Sequence, residues 1–70
     1  MNYVVVIERS KNGFGAHVPD LPGCAAMGKT LEDVKKLIKE AIPAHVAELR
    51  RMGQAVPEPT TLSWHVVEEE

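Results

Sequence analysis

One cysteine, one tryptophan, one tyrosine and one phenylalanine are all the thiol and aromatic chemistry in this 70-residue chain. A single thiol excludes an internal disulfide, and a free thiol suits a reducing compartment. Basic excess is also lacking: eight Lys and Arg stand against ten Asp and Glu, for a net charge of −2. General nucleic-acid binders show a basic face. Here Lys35, Lys36 and Lys39, like Arg50 and Arg51, are interspersed with acids, as on a solvated helix face. No charged-then-apolar leader opens the chain, and no apolar run approaches the ~20 residues that cross a bilayer. These absences predict a soluble, cytoplasmic protein with no membrane association and no direct nucleic-acid binding. Without a repeat or a low-complexity linker, residues 1–70 read as one domain, and only the closing Glu68–Glu70 run is biased.

Small size adds a constraint. A chain of this length buries only about 60% of the surface its unfolded form exposes. With no disulfide and no visible cluster of metal ligands, self-association or tight binding to another protein is the expected supplement. A homo-oligomer, dimer or tetramer, is therefore anticipated, and no cofactor.

Two strands and a helix stand out from the residues themselves. Tyr3–Arg9 is β-branched and short, so it reads as a strand with Tyr3, Val5 and Ile7 on one face and Val4, Val6 and Glu8 on the other. Both faces are mostly apolar, which suggests a central strand or one covered by a neighbouring subunit. Asn12-Gly13 is a strong hairpin signal, because both residues tolerate positive φ. It leads to a second strand, Phe14–Val18. Thr30 stands where a helix N-cap should, with Asp33 three residues later. Leu31, Val34, Ile38, Ala41, His45, Leu49 and Met52 then recur at helical spacing, widened by Leu37, Ile42 and Val46. Gly53 fits the left-handed stop position. Pro43 interrupts this stripe, and predicts either a kink or a split into two helices; the stripe keeps its phase, which favours a kink. A Pro-containing linker, residues 54–61, precedes a last strand in which Leu62, Trp64 and Val66 alternate with Ser63, His65 and Val67.

Val18–Thr30 joins the second strand to the helix and holds the lone cysteine. As a reactive loop it would use Cys24 as nucleophile with His17, seven residues earlier, as base. As a connector, Pro19 and Pro22 stop strand pairing and fix φ near Asp20. Gly23 then supplies flexibility, Cys24 starts a short strand as a packing residue, Gly28 permits a tight exit and Thr30 caps the helix. The connector reading is preferred, since no fixed spacing supports a Cys–His pair. His17 and His65 fall on strands and His45 on the helix, without short metal-ligand spacing. His17 and His65 could share a sheet face with Glu8 and respond to pH. Glu32 and Asp33 are explained by the helix start, and Gly13-Phe14-Gly15 lacks the longer phosphate-cradling pattern. No catalytic, cofactor or metal residue is assigned. Trp64 either packs within its own subunit or anchors an interface, and Val4, Val6, Trp64 and Val66 are the candidate oligomer or partner contacts.

The order of Tyr3–Glu8, the run Asn12–Val34 with its V-P-D-L-P-G-C and T-L-E-D segments, a helix carrying Lys39–Ile42, and Pro57–Pro59 resembles the N-terminal domain of HicB-type antitoxins. The resemblance covers Tyr3 to about Pro59. It implies an α+β fold of two layers, β-β-β-α-β, with a mostly antiparallel sheet, one kinked helix and a likeness to a truncated ribonuclease H without its carboxylates. It also implies a non-enzymatic protein-binding module that masks a HicA-like RNA-cleaving toxin. Full-length HicB antitoxins continue into a DNA-binding segment about where this chain ends, so operator binding does not carry over. Pro43 and Val34 depart from the pattern, the latter standing where the family often has alanine. The alternative function is an orphan homo-oligomeric module that binds a small ligand or another regulatory protein.

Overall fold

The computed structural model of the protein describes residues 2–56 and 61–68. Five elements follow one another: β1 (Asn2–Ser10), β2 (Gly13–His17), β3 (Ala25–Gly28), α1 (Leu31–Arg51) and β4 (Thr61–Glu68). The strands make one mixed sheet in the order β3-β2-β1-β4. β1 pairs antiparallel with β2 and parallel with β4, and β2 pairs antiparallel with β3. Parallel neighbours need a crossover, and α1 supplies it. The result is the anticipated α+β arrangement of one helix on a mostly antiparallel sheet. Pro57, Glu58, Pro59 and Thr60 of the expected linker, and the last two glutamates, lie outside the described residues.

β1 occupies an interior position, as a strand apolar on both faces requires. Tyr3, Val5 and Ile7 are buried beneath α1, whose own buried residues are Val34, Ile38, Ile42 and Val46. Phe14, Ala26, Leu31, Ala41, Leu49, Val56, Leu62 and Trp64 pack around this centre while partly exposed. The apolar stripe of α1 is narrower than its sequence suggests. Leu37 is 42% exposed and Met52, just past the helix, 65%. The cause is the sheet beneath: the Cα trace of α1 comes within 8 Å of β2 and β3 but not of β1 or β4. A helix seated toward one side of a narrow sheet covers only one strip of its own surface.

Pro43 does not split the helix, which runs unbroken from Leu31 to Arg51. The ring sits on the exposed side, as does Lys39, whose carbonyl would have received the missing N–H. Both ends of α1 are closed locally. Thr30 Oγ1 accepts the Asp33 N–H at 3.1 Å. At the other end Gly53, with φ +89°, donates to the Arg50 carbonyl at 3.0 Å, and Gln54 donates to Leu49 at 3.0 Å. That pair of bonds is the Schellman arrangement, which needs a residue comfortable at positive φ. Arg50 then donates through Nε and Nη2 to the Val56 carbonyl at 3.0 and 2.6 Å, tying the departing chain to the helix.

The first hairpin turns one residue earlier than expected. Ser10 pairs with Gly13, which leaves Lys11-Asn12 as the loop. No non-glycine among the described residues has positive φ, so Asn12 does not use its tolerance for it. Gly13 takes φ +144°, and a Cβ there would stand 2.6 Å from the Gly28 carbonyl oxygen of β3.

Candidate protein-binding surface

The Val18–Thr30 connector folds as two consecutive turns. Leu21 N–H donates to the Val18 carbonyl at 3.0 Å, and Cys24 N–H donates to the Leu21 carbonyl at 2.9 Å. Val18 N–H closes the loop on the Cys24 carbonyl at 3.1 Å. Pro19 and Pro22 each occupy the first inner position, where a fixed φ near −65° is required. Gly23 holds the second inner position of the second turn at φ +86°. The three anchoring residues Val18, Leu21 and Cys24 are buried, while Pro19, Asp20, Pro22 and Gly23 are exposed. Leu21 is a core residue that helical and strand periodicity could not find, because it stands alone in a turn. β3 begins at Ala25, so Cys24 precedes it. At the exit, a Cβ on Gly28 would meet the Val34 nitrogen at 2.9 Å. That is the closeness with which β3 passes the first turn of α1.

Cys24 is only 3% exposed, and burial raises its thiol pKa above the ordinary value. A nucleophilic cysteine needs the opposite shift. His17 is exposed on β2, on the sheet face turned away from α1, so it and Cys24 point to opposite sides. The imidazole beside the connector is instead that of His45, whose Cε1 would lie 3.6 Å from a Cβ on Gly23. Its Nε2 is buried without a hydrogen-bond partner. Among the described residues no three His, Cys, Asp or Glu side chains group to hold a metal ion, and no helix is long and apolar enough to cross a membrane. A cleft of about 440 Å³ opens between the connector and the end of α1, with Asp20 and Gln54 among its lining residues.

The sheet face away from α1 carries the larger surface. Pairing registers set Ala25, His17, Val6 and His65 in one row across all four strands, and Met27, Gly15, Glu8 and Val67 in the next. His17 and His65 therefore share a face with Glu8, each flanking Val6. Val4 and Val6 are half-buried, while Met27 is 82% and Val67 52% exposed. The face is thus apolar at its centre, with two imidazoles and a carboxylate around it.

Trp64 and Val66 belong elsewhere. They pair beside Val5 and Ile7, and so stand on the α1 side of β4 at the sheet's edge. The four candidate contacts thus divide between two surfaces. Lys35 Nζ and Lys39 Nζ lie 5.3 and 5.7 Å from the Trp64 ring centroid, within the range of cation–π attraction. Sequence spacing shows Lys35 and Lys39 one helical turn apart, but which strand they meet depends on the crossover.

Comparison with known proteins gives a consistent neighbourhood. A family model described as HicB_like antitoxin of bacterial toxin-antitoxin system matches residues 3–70. A UPF0150 protein of Thermoplasma acidophilum, Ta0767, is 38% identical over 58 residues, covering 81% of this chain and 84% of that protein. A UPF0150 protein of Helicobacter pylori is 46% identical over 44 residues, 63% of this chain and 61% of the relative. An uncharacterized 14.9 kDa protein of Haemophilus phage HP1 is 30% identical over 66 residues, which are 94% of this chain but only 50% of the phage protein. No solved structure matches significantly.

Proposed function

The chain belongs to the HicB-like antitoxin family of bacterial toxin–antitoxin systems, and from that premise we propose that it is a non-enzymatic module that binds and masks a HicA-like RNA-cleaving toxin. The observation that carries the proposal is the family match across residues 3–70. The open sheet face supports it with a surface of suitable chemistry. Val4 and Val6 form its centre, Met27 and Val67 its exposed apolar margin, and Glu8 places an acid among them. A net charge of −2 suits a basic, RNA-binding partner. The proposed setting is the cytoplasm, where toxin and antitoxin meet without nucleic acid bound to this chain. The raised pKa and burial of Cys24 favour packing over catalysis.

The test is co-expression with a small basic protein encoded beside it. Relief of growth arrest and co-elution on a sizing column are expected. Val4→Asp and Val6→Asp, on the uncovered face, should abolish both while circular dichroism stays native. Unrelieved arrest with no complex would overturn the toxin assignment.

A further inference from the structure

We propose that a trough over Gly15, on the open sheet face, receives an arginine side chain of the protein partner, its guanidinium on the Glu8 carboxylate and its stem against Met27. The proposal rests on the reading that this face holds the toxin, and names a contact that would hold it there.

A glycine inside a strand weakens it relative to alanine, and its usual reasons are a bulge, a tight bend, a positive φ or the close approach of other atoms. The fold supplies none of these at Gly15. It pairs with Glu8 on one side and Met27 on the other, in registers that run through it without a bulge. Positive φ is confined to Gly13, Gly23 and Gly53 among the described residues. A Cβ on Gly15 would meet nothing within 4 Å, whereas one on Gly28 would strike the first turn of α1. Among the described residues nothing calls for a glycine at this position, so the close approach it permits is that of another molecule.

The missing side chain leaves a trough of about 230 Å³. Alternation along β2 puts Gly13 and Gly15 on the same face, about 7 Å apart, as its floor. Glu8 and Ser10 of β1 stand on one side and Met27 of β3 on the other, two strand spacings or about 10 Å away. Met27, 82% exposed, is an apolar wall. Ser10 Oγ donates to the Gly13 carbonyl at 3.3 Å, which leaves Glu8 as the charged group of the trough. Its carboxylate is exposed and has no partner among the described residues. Arg9, its neighbour in sequence, turns to the α1 side of the sheet, 5.8 Å from the Phe14 ring centroid. A lone carboxylate beside an apolar wall is complementary to a cation on an apolar stem. Arginine fits better than lysine, because guanidinium is flat, weakly hydrated and meets a carboxylate through two parallel N–H donors. A basic, RNA-binding partner presents such side chains on its surface.

The experiment is calorimetric titration of the full chain with a small basic protein encoded beside it, for wild type, Gly15→Ala, Gly15→Val and Glu8→Gln. Thermal unfolding of each chain alone, by circular dichroism, runs in parallel. Gly15→Ala and Gly15→Val should raise Tm or leave it unchanged, since a Cβ there meets open space and both residues suit a strand better than glycine. Gly15→Val, by filling the trough, should nevertheless weaken binding by about tenfold or more, the scale of a hot-spot loss. Glu8→Gln should weaken it by a similar factor and flatten its dependence on salt. A double-mutant cycle of Glu8→Gln against each arginine-to-alanine change in that protein should find one coupled arginine. A lowered Tm for Gly15→Ala would show that the fold itself needs the glycine, and would overturn the proposal. So would wild-type affinity in a folded Gly15→Val or Glu8→Gln, or coupling of Glu8 to a lysine. Loss of self-association by Gly15→Val alone would make a second copy the occupant, and would overturn it as well. Binding that every variant retains would leave the antitoxin reading standing while this one fell; no binding by wild type would remove both.

Discussion

Pro43→Ala should make the protein more stable. Proline inside a helix forfeits one hydrogen bond, here to the Lys39 carbonyl, and crowds that carbonyl, at about 3 kcal/mol. Its side chain is exposed, so truncation removes nothing from the packed centre formed by Ile38, Ile42 and Val46. Against the gain stands the unfolded chain, which proline stiffens and alanine releases, a loss of about 0.4–1 kcal/mol. The balance is a stabilisation of about 2 kcal/mol. For a domain of 70 residues the whole folding free energy is about 4–10 kcal/mol, so the change is a large share of it. At about 4–8 °C per kcal/mol for this size, Tm should rise by ~8–16 °C. Thermal unfolding followed by far-UV circular dichroism, with a urea titration to verify an unchanged m-value, measures it. An unchanged or lowered Tm would refute the reasoning. It would mean that a bend at Pro43 is needed to keep Ile38 and Val46 on the sheet together.

Two adjacent residues test the width of the helix stripe: Ile38→Ala, at a position 0% exposed, should cost about 2–5 kcal/mol by urea denaturation. Leu37→Ala, at 42% exposure, should cost under about 1 kcal/mol. Cys24 gives a pH test. Its folded pKa is raised by burial, so its contribution is intact below the ordinary value of 9.0 and is lost as pH climbs through the folded pKa. The urea midpoint should fall more steeply on the alkaline side for wild type than for Cys24→Ala, and iodoacetamide should label the folded thiol far more slowly than the unfolded one. Equal slopes and equal labelling would remove the burial account.

Most of the fold was legible because its signals are local. A β-branched run, a helical repeat and a Ser/Thr-type cap at Thr30 each depend on residues within one or two turns. The failures occur where distant parts meet. Leu37 and Met52 keep helical phase, yet their exposure depends on how far the sheet extends beneath α1. Asn12-Gly13 has the composition of a positive-φ turn, but only Gly13 takes positive φ, at a point where the Gly28 carbonyl of a distant strand passes close by. Leu21 follows no period, since a turn residue becomes core only when its loop is laid over the helix. The surface was legible in part. Alternation placed Val4 and Val6 together with Glu8, whereas the separation of Trp64 and Val66 from them required the parallel register of β4 on β1.

That register also bears on how β1 is covered. A strand apolar on both faces calls for cover on both, as in sheets with helices above and below. Among the described residues β1 meets this on one side only: Tyr3, Val5 and Ile7 lie under α1, while Val4 and Val6 have just their in-sheet neighbours. A toxin bound on the proposed surface would cover that open face, one partner to each antitoxin chain, so the purified complex should hold the two chains in equal number. Its sedimentation mass tests this: one toxin for two antitoxin chains would refute a one-face, one-partner arrangement.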